Sequence, residues 1–281
     1  MATMIELDEL YVMARRVLLD ALDALGPHRD AIVLVGAQAV YLRVGEADLA
    51  VAPFTTDGDL AVDPAVLAEI PPLEKALMGA GFYPKTKDSV GIWITQRPTR
   101  LQGNTDVAVD LLVPASVSPG AGRRAARLPG HDSRAARIVK GLEGALVDAD
   151  VMRLEALDAA DARAFEVRVA GPAALLAAKV HKISERHGTD RQSDKDALDV
   201  LRLLRGTETA DLAGRYAKLL DDARSADTAR SAQALFKAQF SARSGVGVAM
   251  AIRSVGLLGD ADEIAASCEA LAGDLLGALG G

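Results

Sequence analysis

At Gly171-Pro172 the hydrophobic rhythm of the chain changes, and that change limits the fold more than any other feature. Before it, runs such as Ala31-Ile32-Val33-Leu34-Val35 and Val107-Ala108-Val109-Asp110-Leu111-Leu112-Val113 have the apolar, β-branched composition of buried strands. Beyond it nothing more reads as strand, and the sequence is helical. The expected fold class is α/β (α+β). Residues 1–170 are expected to form a mixed sheet with flanking helices, and residues 171–281 a helical bundle that closes the cleft of the first domain.

Within the first part, Leu7, Leu10, Ala14, Val17, Leu18, Ala21, Leu22 and Leu25 mark a helix over 5–25 that Gly26-Pro27 ends. The strand 31–35 runs directly into Gly36 and a helix over 37–44, and Asp57 to Val62 is a second strand. Asp63-Pro64, a capping residue followed by proline, predicts a helix that Pro71-Pro72 breaks, with a further turn or two to Met78. Strands are expected over 90–96, 106–113 and 164–169, and the arginine-rich stretch with Gly120, Gly122, Pro129 and Gly130 reads as a mobile connection. Helices are expected over 172–187, 193–205, 207–224 and 228–242, with a less regular pair over 246–279.

A net charge of −7 argues against a general nucleic-acid coat protein, which needs a basic field. A local basic groove remains a candidate in Arg123, Arg124, Arg127, Arg134, Arg137 and Lys140; the plainer alternative is a solvated surface. The single cysteine, Cys268, can form neither an internal disulfide nor a cysteine zinc site, so metal chemistry must rest on carboxylates and a hard ion such as magnesium. No apolar run approaches the roughly 20 residues of a membrane span, and the N-terminus lacks a basic-then-apolar signal. A cytoplasmic location with no membrane partner is the expectation.

Asp57 and Asp59 stand two apart at the start of a strand, so both carboxylates point to one face and reach shared cations. Gly36 lies between a strand and a helix, where a residue without Cβ lets a phosphate approach unpaired helix N–H groups. Asp110, with apolar flanks, is a third carboxylate whose burial would be costly without a partner or a metal. Asp106 lies on the same strand face and competes for that role. Three such carboxylates suit two magnesium ions, one lowering the pKa of an attacking hydroxyl and the other neutralising a leaving pyrophosphate.

The run Leu34-Val35-Gly36-Ala37, followed by Thr56-Asp57-Gly58-Asp59-Leu60, resembles the glycine turn and Asp-x-Asp signature of the polymerase-β-like nucleotidyltransferases. The helix from Pro172 to Arg186 with Lys179, followed by Asp194-Lys195-Asp196-Ala197-Leu198-Asp199, is similar to the lysine helix and Lys-Asp-x-x-Asp helix of the AbiEii group. That group comprises nucleotidyltransferase-like toxins of abortive-infection and type IV toxin–antitoxin systems.

The resemblance implies magnesium, an NTP substrate such as ATP, a tRNA or other RNA acceptor, and an antitoxin or regulator as partner. It implies that Lys179 contacts the phosphates and that Asp196 or Asp199 orients that lysine or the base and ribose. Gly36, Ala37, Gln38 and Thr56 would line the nucleotide site. Two positions depart from the family pattern. The turn reads Gly36-Ala37-Gln38 without a hydroxyl, and Phe54-Thr55-Thr56 stands where a basic residue often precedes the acidic pair; Gln38 or Thr56 would supply the substitute hydrogen bonds.

Three alternatives stay open. Lys179 and Asp199 would instead form a structural ion pair between helices; the acceptor would be a small molecule or a protein side chain; or the chain would be a degenerate member acting as a nucleotide- or protein-binding module.

Overall fold

The computed structural model describes residues 8–45, 47, 49, 51–100, 103–118 and 124–280. Arg123, Gly120, Gly122 and Leu7, each singled out above, lie outside them. Helix α1 (Glu9–Ala24) begins where the Asp8 carboxylate accepts from the Leu10 N–H, and it buries Ala14, Val17, Leu18, Ala21 and Leu22 along one face. Strand β1 (Ile32–Val35) passes straight into α2 (Gly36–Val44), and β2 (Asp57–Val62) follows. Next come α3 (Leu73–Gly79), β3 (Tyr83–Pro84), β4 (Ile92–Thr99), β5 (Gly103–Pro114), β6 (Arg137–Val139), β7 (Ala149–Glu155) and β8 (Ala164–Ala170).

The strands make one mixed sheet in the order β3-β4-β5-β2-β1-β8-β7, with β6 added beside β5. β1 pairs antiparallel with β2 and parallel with β8, and β2 pairs parallel with β5. α1 covers the face opposite Asp57 and Asp59: a Cβ on Gly58 would meet Leu18 at 3.1 Å. After β8 the described chain contains only helices: α4 (Pro172–Arg186), α5 (Lys195–Gly206), α6 (Thr209–Asp221), α7 (Ala226–Phe240), α8 (Val246–Val255) and α9 (Ala261–Ala278). α2 packs on α4 and α5, and one hydrophobic cluster runs from the sheet into these helices. The expected class, a mixed sheet with flanking helices followed by C-terminal helices, is the observed one. No helix among the described residues is long and apolar enough to cross a membrane.

Three local expectations are corrected. Asp63-Pro64 starts no helix: the Asp63 carboxylate accepts from Ala65 N–H within a tight turn, and α3 begins only at Leu73. The arginine-rich stretch is not simply a mobile connection, because β6 lies within it. There Ala126 N–H donates to Ala136, Ile138 N–H to Arg124, and Trp93 Nε1 to Ala135. β7 was not expected because it is an edge strand with exposed Val151, Arg153 and Glu155, so it lacks an apolar alternation to read.

Candidate active site

Strand pairing brings the acidic residues together. In the register of β2 with β5, Asp59 lies abreast of Asp110, and Asp57 lies abreast of Ala108. All three carboxylates therefore belong to one sheet face. Asp106 falls beyond Asp57, is exposed, and accepts from Gln96 Nε2 at 3.2 Å, so pairing favours Asp110 as the neighbour of Asp59.

On the other side of β2, Asp59 is abreast of Val35, the residue before the turn. Gly36 adopts φ +71°, a left-handed conformation in which L side chains are strained, and a Cβ there would lie 2.1 Å from Asp59 Oδ2. The glycine thus makes room for the Asp59 carboxylate itself, rather than leaving an open approach for phosphate at that point. No side chain caps the N-terminus of α2, so the N–H groups of its first turn keep their affinity for anions.

The flanking residues divide the work differently from the sequence expectation. Gln38 is buried and turned inward: its Oε1 accepts from Arg15 Nε at 2.7 Å and its Nε2 donates to the Asp57 carbonyl at 2.9 Å. It braces α1, α2 and β2 rather than reaching into the cleft as a free side chain. Ala37 packs against the core, and Thr56 is exposed. The hydroxyl that serves the acidic pair belongs to Thr55, which donates to Asp57 Oδ1 at 2.6 Å. Thr55 was not singled out beforehand, and its only sequence signal was adjacency.

Burial, then the charge of Asp57, raises the pKa of Asp59. Burial, then Asp59, pushes Asp110 up to about 7, although Arg137 pulls it back. Arg137 Nη2 donates to Asp110 Oδ2 at 2.5 Å. This residue was expected on a surface basic stripe; β6 instead carries it into the carboxylate cleft. Its former companions Arg124, Arg127 and Lys140 are exposed, and Arg134 donates to the Lys87 carbonyl.

From the helical side, α4 contributes Lys179 and Lys182. Lys179 is buried and donates to Asp196 at 2.9 Å and Asp199 at 2.6 Å, both on α5. Burial would lower its pKa, but those two carboxylates outweigh burial and raise it. Asp196 stays ionised, held at about 2 against its own burial by Lys179 and Lys182. The helix-to-helix ion pair is therefore present in this structure. Lys182, one turn further on, bonds Asp196 at 2.9 Å while its side chain stays 35% exposed. Lys182, Arg137 and Lys179 are all near enough to oppose the raised pKa of Asp59. Lys182 was missed, though its position three residues after Lys179 places it on the same helix face.

α2 and α5 also hold the loop that delivers Asp57. Lys195 Nζ donates to the Phe54 carbonyl at 2.7 Å and lies over the Phe54 ring, Tyr41 Oη donates to the same carbonyl at 2.9 Å, and Arg202 bonds the Val51 carbonyl. A cavity of about 140 Å³ lies there, bordered by Tyr41, Phe54, Lys195 and Arg202. A larger one, about 640 Å³, is on the opposite sheet face between α1 and the end of β4, away from the acidic residues.

The three carboxylates on this sheet face offer only oxygen donors, and burial together with their mutual repulsion raises the pKa of Asp59 and Asp110, a donor chemistry that suits a hard divalent cation. Among the described residues, no three acidic, histidine or cysteine side chains are arranged around one ligand point. The partner that Asp110 contacts is Arg137.

A crystal structure of an antigenic nucleotidyltransferase-like protein from Paracoccidioides brasiliensis is similar at 15% identity, over 80% of this chain and 93% of that one, with a TM-score of 0.39. No curated protein matches the chain. Residues 14–221, which span the sheet, the acidic cleft and the lysine helix, match the model of a family described as nucleotidyltransferase, and the chain belongs to that family.

Proposed function

We propose that the cleft moves a nucleoside monophosphate from an NTP to an acceptor hydroxyl. The acceptor oxygen bonds to the α-phosphorus as the α–β bridging bond breaks, and pyrophosphate leaves. The observation that carries this reading is the in-register pairing of Asp59 with Asp110 beside the Gly36 turn, in a chain of this family. Magnesium held by Asp57, Asp59 and Asp110 would supply charge neutralisation at the phosphates and acidify the attacking hydroxyl.

Asp110, abreast of Asp59 on the same sheet face, is placed to accept the acceptor's proton. The uncapped α2 N-terminus would offer the N–H groups of its first turn to the phosphates. Lys182, with its partly exposed ammonium, reaches the triphosphate, while Lys179 holds Asp196 and Asp199 and so sets where Lys182 points. Thr55 and Gln38 position Asp57.

The acceptor we favour is RNA, in particular tRNA, with exposed Arg124, Arg127 and Lys140 along the phosphate backbone. The motif order in the sequence supports an AbiEii-type toxin role with a neutralising partner protein. The hold of Arg137 on Asp110 favours a second reading, a module that binds nucleotide without transferring it.

The test is incubation with magnesium and each α-labelled NTP, in the presence of total RNA and, separately, protein extract. Label transfer that disappears in Asp57→Ala and Asp59→Asn supports transfer, and the labelled fraction identifies the acceptor class. Tight NTP binding with no labelled product favours the binding module.

A further inference from the structure

We propose that Arg137 is an exchangeable counter-ion: it holds Asp110 while the cleft lacks a divalent cation, and on being displaced it clasps the triphosphate. The inference rests on the metal- and NTP-binding reading above.

Three observations lead there. First, the backbone of Arg137 is tightly held while its side chain is partly exposed. β6 pairs with β5 at Leu112, and Ala125 bridges Arg137 from the other side. Gly91, at φ +67°, lies so close that a Cβ would be 2.6 Å from Arg137 N and 2.5 Å from the Leu111 carbonyl oxygen. The side chain, by contrast, keeps a quarter of its surface exposed, which gives it an open side to swing toward.

Second, the guanidinium fork is half used. Nη2 bonds Asp110, while Nε is buried with no hydrogen-bond partner among the described residues. A guanidinium matches a carboxylate or phosphate best through two parallel N–H bonds, and an unpaired buried N–H marks a conformation held for want of a better one.

Third, the charges favour an exchange. Asp59 and Asp110 lie abreast, and Arg137 is the only cation that directly contacts either of them among the described residues. A divalent cation on those carboxylates takes over that neutralisation, and repulsion between it and the guanidinium favours release. The freed arginine then stands beside incoming phosphates with both N–H groups able to turn outward. It would supply the donor that the Gly36-Ala37-Gln38 turn, with no hydroxyl and with Gln38 turned inward, does not.

The experiment compares wild type with Arg137→Met and Arg137→Lys. Mn2+ binding is measured without nucleotide, by the electron paramagnetic resonance signal of free Mn2+. Binding of each NTP and the corresponding NMP is then measured by calorimetry with Ca2+ present. Arg137→Met should bind Mn2+ several-fold more tightly, because the competing cation is gone, and should bind NTP about tenfold more weakly with NMP affinity little changed. Arg137→Lys keeps the charge without the fork, so it should retain wild-type Mn2+ affinity yet share the NTP defect; it also keeps the test alive if the methionine variant fails to fold.

Mn2+ affinity in Arg137→Met equal to or weaker than wild type overturns the counter-ion role. Unchanged NTP affinity in both variants overturns the phosphate role. If wild type binds neither Mn2+ nor any NTP, the function reading fails together with this one. If wild type binds both and the variants match it, only the role of Arg137 fails.

Discussion

Asp110 turns the cleft into a measurable pH dependence of stability. Its carboxyl, ordinarily at 3.8, is pushed up to about 7 in the folded protein by burial and by Asp59. A raised acid binds its proton more tightly folded than unfolded. Its contribution to stability is therefore complete below the unfolded value and is lost as pH rises through the folded one. Each pH unit between those limits is worth about 1.4 kcal/mol, so the full effect is about 4 kcal/mol and the part falling between pH 5 and pH 8 is about 2–3 kcal/mol. Asp59 shifts in the same direction, so the two act as a unit that takes up a proton on folding.

For a chain of this size, that loss lowers the melting temperature by roughly 5–10 °C. The assay is thermal unfolding of EDTA-treated wild type and Asp110→Asn at pH 5, 6, 7 and 8, because the difference between the two proteins removes titrations elsewhere. Wild type should lose stability relative to Asp110→Asn as pH rises. Magnesium should flatten that loss, since ion binding favours the deprotonated carboxylates. A relative stability that stays level or increases from pH 5 to pH 8 without metal would refute the reasoning.

Gly36→Ala should cost about 2 kcal/mol through its left-handed backbone, and should weaken Mn2+ binding because the new Cβ displaces the Asp59 carboxylate; melting and metal titration read the two effects. Lys179→Met leaves Asp196 and Asp199 short of a buried partner and should destabilise by about 3–5 kcal/mol in urea unfolding. Lys182→Met, at a partly exposed ion pair, should cost under about 1 kcal/mol yet weaken NTP binding, and equal destabilisation by both variants would contradict the division of roles drawn here. Replacing Arg124, Arg127 and Lys140 by alanine should reduce the salt slope of RNA binding, measured by filter retention across a salt series; an unchanged slope removes them from an RNA surface.

Much of the framework was legible because its causes are local. The helix over Glu9–Ala24 follows from apolar steps of three and four, and the helices after Pro172 follow likewise. That Asp57 and Asp59 share a face follows from the period of a strand. Where local signals were ambiguous or weak, the reading failed. Asp63-Pro64 has the chemistry of a helix start and equally that of a turn, and the exposed edge strand β7 has little apolar alternation.

The sequence by itself determined most of the helices and the buried strands, where the helical part would begin, and that an acidic pair would stand beside a glycine bend, since each depends on neighbours a few residues away. Only the tertiary structure decided the rest. The register of β2 with β5 set Asp110 rather than Asp106 abreast of Asp59, and the addition of β6 to β5 carried Arg137 from a supposed surface stripe to the carboxylates. The packing of α4 on α5 buried Lys179 between two aspartates and left Lys182 partly exposed. These are pairings between residues far apart in the chain, chosen by hydrogen-bond register and shared burial, which no local pattern specifies.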